Sequence, residues 1–417
     1  MNKEFARVLI EKCGSPLYAY DLEEVERRAQ ALLAMLPAGS SLLFSVKANP
    51  LPVIGEVLSA LGCRAEISST GEMVSALEAG FKPSRILYGG PAKSVEEMKE
   101  ALDCGIRTFS CESWNDLARL QLAAYHVDST INVLLRVNPL HSPQALLAMT
   151  GVHSQFGFEE ADLLQESSRL VNLPVNFEVI GVHIYFGTQM SGVSALGDAA
   201  ASALQTAERL SKQLNLQWRV VNMGGGFPWP HGVNGVGPDL SELGPILYHL
   251  SLARELTASA QMWFESGRYL TASSGTLLAR VVDIKSSKGK KYIVLDSGIN
   301  HLGGMSGLGR IMRPAVSIEP LQVDPVQQRE VVDLVGPLCS PLDCLARSVE
   351  VPVLQIDDII SIPNVGAYGA TASLTNFLSR VPPLEVAHRS AQVVKVYRLG
   401  CGHKAVDQRH LHERFLP

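Results

Sequence analysis

Leu42-Leu43-Phe44-Ser45-Val46-Lys47-Ala48-Asn49-Pro50 is an apolar run that ends on a cation and is closed by a proline. Such a run reads as a buried strand, with the cation standing where the strand opens into a pocket. An amine shielded there is expected to have a lowered pKa and to attack an aldehyde. Read alone, the same stretch also fits a lysine that snorkels from a strand end.

Outward from this run the texture repeats. Short apolar segments over 42–46, 64–67, 85–88, 108–111, 131–137, 177–183, 218–222 and 262–264 predict eight strands. Helical patterns over 52–61, 71–79, 95–104, 114–124, 159–170, 195–214 and 240–258 lie between them. Eight strand-helix repeats are the signature of a TIM (β/α)8 barrel, whose chemistry sits at the C-terminal ends of the strands. Beyond Glu265 the segments 276–284, 292–296, 331–335 and 358–362 are β-rich with short loops, which predicts a C-terminal antiparallel β domain. The lysines of Ser287-Lys288-Gly289-Lys290-Lys291 read as a solvated hairpin tip.

Composition bounds the rest. The chain has 417 residues, 46% hydrophobic and 18% charged, which suits a globular enzyme of two domains. A net charge of -5 gives no electrostatic reason to expect nucleic acid or an anionic membrane surface as partner. Met1 to Arg7 does not read as a secretory leader and no run is long enough for a membrane span, so a cytoplasmic location is expected. Seven cysteines, with no Cys-x-x-Cys pair, argue against a disulfide framework and a structural zinc site, and no metal is expected.

Four further clusters carry chemistry. His183 closes the predicted sixth strand in Gly181-Val182-His183-Ile184-Tyr185-Phe186-Gly187-Thr188-Gln189, where its flat ring could stack on a cofactor ring. Gly224, Gly225 and Gly226 follow the seventh strand, where barrel phosphate sites lie. Glu265-Ser266-Gly267-Arg268 follows the eighth. A carboxylate there could keep a pyridine nitrogen protonated, and Arg268 could neutralise a phosphate or a substrate carboxylate. Gly336-Pro337-Leu338-Cys339-Ser340-Pro341-Leu342-Asp343 and Gly366-Ala367-Tyr368 place polar or reactive side chains on punctuated loops. Each cluster taken singly also fits an ordinary structural role.

In this order and spacing the motifs resemble the fold-type III decarboxylases that use pyridoxal 5'-phosphate (PLP): the diaminopimelate, ornithine and arginine decarboxylases, built on the alanine racemase-like fold. The resemblance runs from Pro16-Leu17-Tyr18-Ala19-Tyr20 to about Glu385. It implies a PLP-binding barrel over 21–265, with 1–20 and 266–417 together forming a β-barrel domain that carries the cysteine and tyrosine loops. It implies Lys47 as the amine that binds the PLP aldehyde, His183 as the stacking ring and Gly224, Gly225, Gly226 and Thr188 at the phosphate. Glu265 falls at the pyridine nitrogen and Glu66 near the cofactor, with Arg268 and Tyr368 also at the cofactor. Cys339 resembles the proton donor that reaches into the partner subunit's site, so a homodimer with shared sites is implied.

The departures bear on substrate. The family carries an acid after the cysteine to hold a distal ammonium; this chain has Ser340. In Arg313-Pro314-Ala315-Val316-Ser317 the arginine is kept and the tyrosine is replaced by Ser317, and the family's Ser-Lys-Phe-Gly lysine is Gln155. A site without its acid binds a free ammonium less well. With Asn376-Phe377-Leu378-Ser379, these features are closer to the branch that acts on conjugated or carrier-bound amino acids. They suggest a role in siderophore or other secondary-metabolite assembly, with Arg268, Arg313, Ser340 and Asp343 toward the substrate. The alternatives are a diaminopimelate or basic amino acid decarboxylase, an amino acid racemase, or an inactive regulatory homologue. Glu265 counts against a racemase, which places an arginine at the pyridine nitrogen. Retention of Lys47, Glu265 and Cys339 counts against an inactive homologue.

Overall fold

The computed structural model describes residues 1–140, 147–148, 154–253, 256–303, 315–321 and 328–400. Eight parallel strands, Ser41–Ser45, Arg64–Ile67, Ile86–Tyr88, Thr108–Cys111, Ile131–Asn138, Phe177–His183, Val220–Asn222 and Gln261–Ser266, close into a barrel. Closure is made by the last strand on the first, with Trp263 opposite Ser41 and Ser266 opposite Phe44. Every predicted barrel strand is present, displaced by at most two residues at an end. Leu43, Leu87, Leu134 and Val220 form a buried cluster with Ile180 and Trp263, apart from the main core. The first four come from strands one, three, five and seven, the alternation by which barrel interiors are layered. Gly181 shows how tightly strands six and seven meet, since a Cβ there would lie 1.8 Å from the carbonyl oxygen of Val220.

The helices Thr70–Glu78, Val95–Asp103 and Trp114–Ala123 start on Ser69, Ser94 and Ser113, whose hydroxyls accept backbone amides of the first turn. Each such cap stabilises its helix by about 1 kcal/mol. The single helix expected over 159–170 is two, Glu160–Gln165 and Ser168–Val171. Adjacent serines at 167 and 168 favour turns over helix interiors. The helix expected over 240–258 is likewise Leu243–Leu252 and Leu256–Ser259.

The second unit is a nine-stranded sheet. Its central strand Gly275–Ser287 pairs with the N-terminal strand Leu17–Asp21, with Lys290–Leu295 and with Ile359–Ile362, all antiparallel. The sheet is mostly antiparallel, as expected of this domain, and two of its pairs are parallel. Leu17–Asp21 runs parallel to Leu384–Arg389, and Lys290–Leu295 runs parallel to Arg329–Val335. Strand composition does not fix direction: Leu17–Asp21 meets its parallel partner across most of the chain, whereas Lys290–Leu295 and Arg329–Val335 are separated only by residues 296–328. The tip Lys288-Gly289 takes positive φ in a tight hairpin, as its composition suggested.

Candidate active site

Lys47 does not end the first strand but sits in a single 3₁₀ turn, Val46–Ala48, just beyond it. Its neighbours Val46 and Ala48 are buried, while its own side chain is 45% exposed to the cleft at the barrel mouth. Gly267, just past the eighth strand, packs behind this turn, where a Cβ would lie 2.6 Å from that of Ala48. Lys47 Nζ lies 3.1 and 3.3 Å from the two carboxylate oxygens of Glu66, at the end of the second strand. Burial by itself would lower the lysine pKa, but Glu66 and then Glu265 outweigh it and the pKa is raised. The expected lowered pKa is therefore corrected: among the protein's own groups this amine is held as an ammonium, because two carboxylates from other strands face it.

Strand ends six, seven and eight form one polar cluster. The buried His183 ring meets the Ser110 hydroxyl through Nδ1 at 2.9 Å, and its Nε2 lies 3.4 Å from Glu265 Oε1 without hydrogen-bond geometry. Burial, with Arg136 nearby, drives the His183 pKa well below the usual histidine range, so the ring is a flat neutral face. Asn222 donates to Glu265 Oε1 at 2.8 Å and accepts from the Gly224 amide at 2.9 Å, which ties the carboxylate to the glycine turn.

The glycine run can hold no side chains. A Cβ on Gly224 would lie 2.5 Å from the Tyr185 ring, and one on Gly225 would lie 2.4 Å from the Glu265 carbonyl oxygen. Gly225 and Gly226 line a cleft together with Lys47, Thr188, Glu265 and Arg268. Gly224 lies behind that wall and serves the turn, with φ +63°. Arg268 is only 6% exposed, has no carboxylate partner among the described residues, and leaves its Nε without a hydrogen bond. Burial lowers its pKa. Its guanidinium lies over the Tyr368 ring, 4.9 Å from the centroid, and the Tyr368 amide donates to Ala48 O at 2.7 Å.

The remaining expected residues lie elsewhere. Cys339 is exposed, and neither it nor Ser340 lines the cleft. Asp343, expected toward the substrate, is buried, and its carboxylate accepts the amides of Ile299 and Leu338 at 2.8 and 2.7 Å. It braces the cysteine loop from the interior and does not line the cleft of its own chain. Arg313 lies outside the described residues. Reading the sequence missed Tyr185, which lines the cleft, and Ser110 and Asn222, which orient His183 and Glu265. A polar Asn222 ending a buried strand was the available signal.

The unsatisfied groups of the cleft and its surroundings fit PLP. Arg268 is a buried cation awaiting an anion beside side-chain-free glycines, His183 is a flat neutral ring with a free buried nitrogen, and Lys47 and Glu265 face the same space. An amine, an anion cradle, a ring face and a carboxylate are the donor set for that cofactor.

A closed parallel barrel bearing this set defines a PLP-dependent barrel enzyme. Residues 22–272 match the family described as pyridoxal-dependent decarboxylase, pyridoxal binding domain, and the chain belongs to it. It is similar to the L-glutamyl-(BtrI acyl-carrier protein) decarboxylase of Niallia circulans, at 29% identity over 96% of this chain and 95% of that protein. Diaminopimelate decarboxylase of Zymomonas mobilis is 30% identical over 92% of this chain and 90% of its own length. The solved diaminopimelate decarboxylase of Helicobacter pylori, complexed with L-lysine, superposes with TM-score 0.81 at 25% identity, covering 99% of this chain and all of that one (100%). The protein is a PLP-dependent amino acid decarboxylase of the fold-type III class.

Proposed function

We propose that the chain decarboxylates an amino acid whose side chain is conjugated or carrier-bound, in the assembly of a siderophore or other secondary metabolite. The observation that carries this is the cysteine loop. Ser340 stands where the resemblance implies an acid, and the nearby Asp343 accepts two backbone amides. Residues 336–342 of this loop carry no carboxylate, and Asp343 is buried. The Niallia circulans relative, named for a carrier-bound glutamyl group, supports the same reading.

PLP bound in the cleft supplies a pyridine ring that accepts the electron pair released as the α-carboxylate leaves as carbon dioxide. Lys47 Nζ is the attachment amine, and Glu66 holds it in place beforehand. Glu265, fixed by Asn222, keeps a proton on the ring nitrogen. His183 supplies the ring face, and Arg268, Thr188 and the amides of Gly225 and Gly226 receive the phosphate. Tyr368 closes the cleft beside Arg268.

Cys339 Sγ returns a proton to the α-carbon from the partner copy of a homodimer. Its exposure in one chain fits that role. Arg380 donates to Pro337 O at 3.0 Å and so sets the loop bearing the exposed Leu374, Phe377 and Leu378 against the cysteine loop, an apolar surface suited to a second subunit. In this reading the barrel domain spans 21–265, residues 1–20 join 266–417, and the protein works in the cytoplasm. No helix among the described residues is long and apolar enough to cross a membrane, and the six cysteines there are free thiols.

Carbon dioxide release and product mass should be measured with free diaminopimelate, ornithine, lysine and arginine beside carrier-bound or acylated amino acids. Turnover of the bound substrates alone is expected. Efficient turnover of free diaminopimelate, the second reading favoured by the 30% identical relative, would overturn the proposal.

A further inference from the structure

A chain of buried polar groups that the proposed chemistry does not use runs into the lysine turn. Tyr20, on the N-terminal strand, donates its hydroxyl to Glu385 Oε1 at 2.9 Å, and the Asn49 amide meets the same phenol. Asn49, two residues past Lys47, also donates to Gly366 O at 2.9 Å and accepts the Leu51 amide at 3.1 Å. Gly366 and Tyr368 belong to one loop, and the Tyr368 amide reaches back to Ala48 O at 2.7 Å. Tyr20, Asn49 and Glu385 are 1%, 4% and 4% exposed.

The surroundings of Glu385 are phenolic rather than cationic. Tyr18 lies beside it in register on the N-terminal strand, and Tyr397 lies opposite it on the last strand. No ion pair to Glu385 is formed among the described residues. A buried carboxyl without a cation costs more than a leucine of similar size, so packing alone does not account for it.

We infer that Tyr20 and Glu385 are positioning residues for the decarboxylation: through Asn49 they hold the Ala48–Asn49 backbone, and with it Lys47 and Tyr368, in the arrangement the cofactor requires. The inference rests on Lys47 being the attachment amine. The N-terminal strand thereby becomes part of the active-site scaffold, although none of its side chains lines the cleft.

The test begins with wild-type protein incubated with limiting PLP, reduced with borohydride and digested, with the modified fraction of Lys47 read by mass spectrometry. Tyr20→Phe, Glu385→Leu and Glu385→Gln are then treated alike, with kcat, KM and melting temperature recorded. Tyr20→Phe and Glu385→Leu are expected to lower the attachment equilibrium roughly tenfold, the size of one buried hydrogen bond, and to lower kcat with little change in KM. Glu385→Gln should be rescued, because its amide oxygen still accepts the phenol proton. Lower melting temperatures with unchanged Lys47 modification, or Glu385→Leu matching Glu385→Gln, would overturn the inference. Should Glu385→Leu not fold, Tyr20→Phe against Glu385→Gln decides. A wild-type protein with no adduct at Lys47 overturns the functional reading and this inference together; an adduct with unaffected variants overturns this inference alone.

Discussion

Burial raises the Glu385 carboxyl to a pKa of about 7, against an ordinary value of 4.5. Its neutral form is favoured in the folded chain, so the stability it contributes is complete below about pH 4.5 and is lost as pH rises through about 7. Between pH 5 and 8 the wild type should lose on the order of 3 kcal/mol more than Glu385→Gln, as read from denaturant unfolding at the two values. Equal losses would show that the carboxyl titrates normally. Lys47 presents the opposite balance, since two carboxylates overcome the burial that would otherwise discharge it. The position of that amine was legible in the sequence because strand periodicity ends on it. Its charge was not, because Glu66 and Glu265 come from strands about 20 and 220 residues away and meet it only once the barrel closes. That Asp343 is buried was not legible either, since one of its two amide partners, Ile299, lies 44 residues away.

Among the elements, the barrel strands were legible almost to the residue, because each is an apolar run bounded by glycine, proline or a capping serine. The glycine turn after strand seven was legible too, and its steric need is borne by contacts under 3 Å at Gly224, Gly225 and Gly226. The direction of the strands in the second sheet was not legible, since parallel and antiparallel partners demand the same apolar residues. The loop bearing Tyr368 carries a less obvious requirement. At Gly366 a Cβ would lie 1.9 Å from Thr271 O and 2.7 Å from Gly275 N. Gly366→Ala must displace the loop, at a cost on the order of 2–3 kcal/mol, and loosen the Asn49 contact with it. A reduced melting temperature together with weaker PLP retention on dialysis is expected. An unchanged melting temperature would show that the loop yields freely.

At the scale of the whole molecule, the cleft holds Lys47, Glu265 and Arg268 within one chain, with His183 beside Glu265, while Cys339 stands on an exposed loop and does not line it. The shared-site homodimer proposed above would reconcile the two. Lys47→Ala and Cys339→Ala should each lack normal turnover, yet a mixture that exchanges subunits should regain about a quarter of wild-type activity, because half of the dimers then carry one intact site. No recovery after demonstrated exchange would place the cysteine outside the partner's cleft. The most direct measurement is simpler. Protein incubated with PLP, reduced with borohydride and mapped by peptide mass spectrometry should carry the pyridoxyl group on Lys47 and lose its absorbance near the visible edge. A reduced adduct on another lysine, or none at all, would contradict the account.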